Sequence, residues 1–138
     1  EEIGRIYGSI SLETDFIKEI DFIIPVPLHS KKEKKRGYNQ SEVFANGLSE
    51  ILNIPINNKS IIRKKFTETQ TQKSKFKRWE NVKDIFYLAE PKTIENKHIL
   101  IVDDVITTGS TLEACIIEAN KAKNIIVSVA SIAIASGS

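Results

Sequence analysis

The residues best equipped for chemistry lie in one stretch, Ile99-Leu100-Ile101-Val102-Asp103-Asp104-Val105-Ile106-Thr107-Thr108-Gly109-Ser110-Thr111. Two adjacent carboxylates are followed by four hydroxyl side chains and one glycine. Hydroxyls donate to phosphate oxygens, and glycine lets the backbone turn tightly against them. Carboxylates repel a phosphate; they take hydroxyl donors or a hard cation such as Mg2+. A sugar phosphate answers both demands, with its phosphate on the turn and its ribose hydroxyls on the acids.

Two elements must position these groups. The apolar run Ile99 to Val102 predicts a strand covered on both faces. Asp103 and Asp104 then sit at its carboxyl end, where open α/β sheets bind ligands. Leu112, Cys115, Ile116 and Ala119 have the spacing of one buried helical face, so the Thr/Gly/Ser turn opens a helix. A helix start leaves about four amides unpaired, and its dipole favours an anion by ~0.3–2 kcal/mol. Rival patterns fail on particulars. A P-loop needs spaced glycines and a lysine. A phosphoacceptor receiver needs an aspartate on a later strand, and none follows Asp104. Helix capping by Asp104 or Thr107 needs one such residue, not two acids and four hydroxyls.

The whole chain sets the frame. Its 138 residues, 41% hydrophobic and 28% charged, predict a single globular domain. No apolar run approaches the ~18 residues of a membrane span and no signal-peptide pattern opens the chain, so a cytoplasmic protein is expected. The lone Cys115 reads as a core filler in a reducing compartment. One cysteine with His29 and His98 cannot build a structural zinc site. The absence of any methionine, even at the first position, predicts a fragment of a longer protein or a processed product, the fragment being favoured. Net charge is only +2, yet fourteen of the twenty basic residues fall in stretches 31–36 and 59–83. Basic loops of this kind imply a polyanion.

In order, residues 1–20 predict a helix with Ile3, Ile6, Tyr7 and Ile10 on one face, extended by Phe16, Ile17 and Ile20; Gly4 and Gly8 weaken it. Asp21 to His29 predicts a buried strand running into Pro25 and Pro27, where a cis bond would aim backbone amides into the site. Asn39 is the expected N-cap, with Glu42 completing a capping box, of a helix over about 41–52 with Phe44, Leu48, Ile51 and Leu52 inward. Residues 63–80 are polar, basic and nearly free of aliphatics, the mark of a long lid-like loop. Trp79 reads as an anchor for the lid's base with Val82, Ile85 and Phe86, stacking on a base being its alternative role. A linker follows Pro91, Asn124 suits a helix end, and Ile125 to Ile134 is a final apolar strand.

The stretch from Ile99 to Thr111 resembles the phosphoribosyl pyrophosphate signature of type I phosphoribosyltransferases. Pro25-Val26-Pro27-Leu28-His29, Arg36-Gly37-Tyr38-Asn39-Gln40, Arg63, Thr69-Gln70-Thr71-Gln72, Arg78-Trp79-Glu80-Asn81-Val82 and Phe86 narrow the likeness to the ComF family. That family is a phosphoribosyltransferase-like group linked with DNA uptake in bacterial competence. The match runs over about residues 20–134.

The resemblance implies an α/β type I phosphoribosyltransferase fold, a central parallel sheet flanked by helices with a flexible hood. It implies Mg2+-dependent binding of phosphoribosyl pyrophosphate and transfer of the phosphoribosyl group to a nitrogen nucleophile with release of pyrophosphate. By position, Asp103 and Asp104 are the ribose acids, meeting Mg2+ only through the bound ribose. Val105, Ile106, Thr107, Thr108, Gly109, Ser110 and Thr111 form the 5′-phosphate loop. Leu28, His29, Ser30, Lys31, Lys32 and Arg36 face the pyrophosphate. Lys77 and Arg78 stabilise charge from the hood. The four-cysteine zinc ribbon and the Lys-Tyr segment usual ahead of the first helix in ComF-like chains are missing. Single-stranded DNA or the competence machinery are the implied partners, and an oligomer is compatible with the pattern. The alternative is a non-catalytic nucleic-acid-binding or regulatory module on the same fold. No motif identifies the acceptor base.

Overall fold

The computed structural model describes residues 15–28, 37–64 and 85–135. The expectations for residues 1–14, for His29, Ser30, Lys31, Lys32 and Arg36, and for Lys77, Arg78, Trp79 and Val82 lie outside them. A 3₁₀ turn, Asp15–Glu19, leads into β1 (Phe22–Pro25) and α1 (Gln40–Leu52). β2 (Ile61–Arg63), β3 (Phe86–Leu88) and α2 (Pro91–Ile94) follow, then β4 (His98–Ile106), α3 (Ser110–Ala119) and β5 (Ile126–Ile134).

β1, β4 and β5 form a parallel sheet with β4 in the centre. Alternate residues of β4 point to opposite faces. Ile99 and Ile101 join Ile24, Leu112, Cys115 and Ala119 in one core cluster. Leu100 and Val102 join Ile23, Phe44 and Leu48 in the other. The apolar run is unbroken because α3 covers one face and α1 the other, which is the α/β architecture the sequence predicts. Each fully buried Ile, Leu, Val or Phe among them contributes roughly 1.5–3 kcal/mol of transfer free energy.

Several local expectations shift. Of the helix expected over residues 1–20, the described part is the 3₁₀ turn and the residue after it, with Ile17 in the turn and Ile20 just past it both buried. β4 does not stop at Val102: Asp103, Val105 and Ile106 still pair with Ser131, Ala133 and Ile134 of β5. Only on the β1 side does the ladder end there, at Pro25↔Val102. The linker after Pro91 is the one-turn helix α2, with Pro91 in its first turn and Ile94 fully buried. α3 ends at Ala119, and Asn124 instead makes a left-handed turn (φ 51°) before β5. Ile51 and Leu52 are only half-buried, whereas Phe44 and Leu48 are in the core. No described peptide bond is cis.

β2 and β3 form a separate antiparallel pair. Ile61, Phe86 and Leu88 root it in the cluster under α3. Glu118 of α3 is buried and accepts from the Leu88 amide (3.1 Å) and from Lys121 (2.6 Å). The pair, which precedes and follows in sequence the stretch expected to form the hood, is thereby fixed to the cluster beside the sheet. Among the described residues no helix is long and apolar enough to cross a membrane.

Candidate phosphate and ribose site

The site is assembled where β1 ends, β4 turns and two helices begin. Asn39 accepts from the Ser41 amide (3.1 Å), capping α1 as expected. The same side chain also donates to the Val26 carbonyl (3.2 Å), and the Val26 amide donates to Val102 (2.9 Å). One asparagine thus fixes the start of α1 to the end of β1. That geometry sets Ser41, two residues on, against β4.

Ser41 is buried and donates to Asp103 Oδ1 (3.0 Å). The same oxygen accepts from the Asp104 amide (3.0 Å). Asp103 is half-buried, and burial pushes its carboxyl above the usual carboxylate range. The neighbouring Asp104 adds to that rise, while the Ser41 bond and the Asp104 amide oppose it. Behind Asp104, the Ser131 hydroxyl donates to the Asp104 carbonyl (3.3 Å) and to the Ala133 carbonyl (2.8 Å). The acids therefore lie on a strand paired on its β5 side, not on a free loop.

Past them, Val105 and Ile106 remain strand, and the turn proper is Thr107 to Gly109. Gly109 takes φ 78° at the N-cap of α3, and no side chain caps that helix. The Thr108 and Ser110 hydroxyls bond each other (2.9 Å), and the first helical bond runs from the Glu113 amide to the Gly109 carbonyl (2.8 Å). The amides ahead of Glu113 have no intrahelical partner, and that of Ser110 donates instead to Thr108 Oγ1 (3.4 Å). Beside them is an open hollow lined by Asp103, Val105, Ile106, Thr107, Thr108, Gly109, Thr111 and Leu112. Uncapped amides, hydroxyls and the positive end of a helix make an anion site. Asp103 in its wall adds a carboxylate that accepts from hydroxyls.

Gly109 is required by conformation rather than space. An added Cβ would meet nothing nearer than Ile106 Cγ2 at 3.9 Å, but left-handed backbone costs an ordinary residue ~1–2 kcal/mol. Gly109→Ala should lower the unfolding free energy by about that amount with an unchanged denaturant slope, and Gly109→Asn should recover part of it. Urea denaturation of the three proteins checks this; an alanine variant as stable as the parent would contradict the strained turn.

The sequence singled out Asp103, Asp104 and the 105–111 segment; of these, Asp103, Val105, Ile106, Thr107, Thr108, Gly109 and Thr111 line this hollow, and Asp104 and Ser110 do not. Leu28, half-buried, follows the end of β1. Sequence reasoning missed Ser41, whose partner lies 62 positions away, and the second bond of Asn39. Cys115 is fully buried, and burial pushes its thiol up to about 12, so it is core and not a nucleophile.

A metal can be weighed from the donors. Among the described residues no three His, Cys, Asp or Glu side chains cluster to hold an ion. Two carboxylates suit a Mg2+ that arrives on a substrate's oxygens and keeps much of its water.

The sequence profile of the phosphoribosyl transferase domain matches residues 38–135. Competence protein F of Haemophilus influenzae is 43% identical over 100 residues, 72% of this chain and 44% of that protein. DNA utilization protein YhgH of Escherichia coli O157:H7 is 40% identical over 92 residues, 67% of this chain and 40% of that protein. The chain spans about two fifths of the length of these relatives. Among solved structures, purine phosphoribosyltransferase from Pyrococcus horikoshii superposes with a TM-score of 0.59 at 22% identity, covering 97% of this chain and 75% of that one. At that identity the likeness speaks for the fold.

Proposed function

The chain belongs to the phosphoribosyl transferase domain family, in its ComF type, and from that membership we propose that it binds phosphoribosyl pyrophosphate with Mg2+ and transfers the phosphoribosyl group to a nitrogen nucleophile. The observation that carries the reading is one adjacency. The uncapped start of α3, entered through a left-handed Gly109, opens on a hydroxyl-lined hollow whose rim holds Asp103, with Asp104 next in the chain.

The 5′-phosphate takes the α3 amides and the hydroxyls of Thr107, Thr108, Ser110 and Thr111. Asp103 and Asp104 accept from the ribose 2′- and 3′-hydroxyls and orient the ring. The bond from C1 to the pyrophosphate oxygen breaks, and its electron pair leaves with the pyrophosphate. The nitrogen lone pair forms the new C1–N bond, and the proton shed by that nitrogen passes to solvent. No protein nucleophile is needed. Mg2+, when bound, neutralises charge on the departing pyrophosphate. The basic residues of 31–36 and 63–78 serve the same end, and a closed hood excludes the water that would otherwise capture the sugar.

The names of the relatives link the family with competence and DNA utilisation, and we propose the same setting for this chain. A second reading rests on the fourteen clustered basic residues, a nucleic-acid surface whose affinity falls steeply with salt.

Calorimetric titration with phosphoribosyl pyrophosphate tests the first reading. Binding in the ~1 μM–1 mM range of enzyme substrates is expected with Mg2+, weaker without it and competed by ribose 5-phosphate. No heat in either condition, alongside salt-sensitive binding of single-stranded DNA, would favour the second.

A further inference from the structure

We propose that Ser41 is a positioning residue for the sugar end of the site: it grips one oxygen of Asp103 and so sets the affinity for ribose separately from that for phosphate. This rests on the phosphoribosyl pyrophosphate reading above. Ser41 is 4% exposed, in the first turn of α1, just ahead of the core residues Phe44 and Ala45. Burying a hydroxyl is costly unless it is bonded, and alanine is the better helix former. Folding alone would be served by alanine. What serine adds is one bond, from Oγ to Asp103 Oδ1 at 3.0 Å, across 62 positions of chain.

The donor has a fixed origin. The Ser41 amide donates to Asn39 Oδ1 (3.1 Å), and Asn39 Nδ2 donates to the Val26 carbonyl (3.2 Å). Asn39 is itself buried. One side chain thus ties Ser41 to the end of β1, which lies against β4. The bond to Asp103 also comes from the first turn of a thirteen-residue helix, whose positive end favours a carboxylate.

The acceptor lies where the sheet gives it little support. The β1–β4 ladder ends at Pro25↔Val102, one residue short of Asp103. On the other side the register passes from Asp103↔Ser131 to Val105↔Ala133, skipping Asp104. The Asp104 amide turns instead to Asp103 Oδ1 (3.0 Å). Ser41 and that amide therefore hold the same oxygen. A carboxylate clamped at Oδ1 turns its Oδ2 to a ligand in the hollow that Asp103 lines. An acceptor aimed in advance spares the ligand the cost of ordering it. The phosphate end is shaped by other contacts, the Thr108–Ser110 hydroxyl bond and the left-handed Gly109.

Calorimetric titration of the whole chain with ribose 5-phosphate and with inorganic phosphate reads the two ends apart. Ser41→Ala should weaken ribose 5-phosphate on the order of 10-fold, the effect of one hydrogen bond to a charged group, and leave inorganic phosphate unchanged. Its melting temperature should stay close to the parent's, since alanine suits the helix. An Asp103→Ala background has no carboxylate to hold, so adding Ser41→Ala there should cost nothing further. Unchanged ribose 5-phosphate affinity in Ser41→Ala would overturn the assignment and leave the functional reading standing. Equal losses of both ligands, or a second loss on top of Asp103→Ala, would overturn it too, since either is the mark of a packing role. A parent chain that binds ribose 5-phosphate no better than inorganic phosphate has no sugar site, and the functional reading then fails with the proposal.

Discussion

Replacing Asp103 and Asp104 together by asparagine should abolish phosphoribosyl pyrophosphate binding and leave the fold standing. Asparagine is nearly isosteric, and its Oδ1 still accepts from Ser41 and from the amide of residue 104, the two bonds that orient Asp103. Only the charge goes. Hydrogen bonds to charged groups contribute about 1.5–3 kcal/mol each. Losing one such acceptor should weaken binding by roughly 10- to 150-fold, and losing both should carry affinity below detection by calorimetry. Retained affinity in the double variant would remove the acids from the site.

The single change Asp103→Asn separates binding from stability through pH. Burial raises the Asp103 pKa in the folded protein above that of the unfolded chain. Between those two values the native state holds the proton and the unfolded state does not. Stability therefore falls as pH rises through that window, and the penalty persists above it. The asparagine variant lacks this slope and should be at least as stable as the parent at neutral pH. Binding runs the other way: the ribose hydroxyls need the ionised form, so the parent should lose affinity as pH falls through the raised value. Denaturation curves and titrations across the acid range would show the opposite slopes. Equal slopes in parent and variant would show that Asp103 is not the titrating group.

What the sequence makes legible is what is contiguous. Strand, acids, turn and helix follow one another from Ile99 to Ala119, so periodicity and residue type suffice to place the hollow before the fold is known. Features set by distant partners are hidden. β4 runs on to Ile106 because Ser131 to Ile134 of β5 continue the ladder, and nothing local to Asp103 announces that. Ser41 looks like an ordinary early-helix residue until α1 is laid against the end of β4. Arg63 reads as one basic residue among many; its burial depends on Phe86 and Pro27, which pairing and packing bring to it. The helix expected at the start of the chain rested on apolar spacing alone. Its described part is a 3₁₀ turn and the residue after it, of which Ile17 and Ile20 join the core cluster of Phe44 and Leu48.

Phe44→Ala should cost about 3–5 kcal/mol of unfolding free energy, a large share of the roughly 5–15 kcal/mol available to a domain. Phe44 is only 1% exposed and sits with Leu48 against Ile23, Leu100 and Val102. Truncation there leaves a cavity between α1 and the sheet that neither rigid element can close. Phe44→Leu keeps most of the volume and should cost well under half as much. The site connects to this packing through the first turn of the same helix. Asn39 and Ser41 hold Val26 and Asp103 only while α1 lies on the sheet, so loosening the helix should relax the acids before it exposes the α3 turn. Ribose 5-phosphate affinity in Phe44→Leu should then fall more than inorganic phosphate affinity, since phosphate needs only the turn. Equal losses for the two probes would show that α1 supports the whole sheet edge rather than the acids in particular.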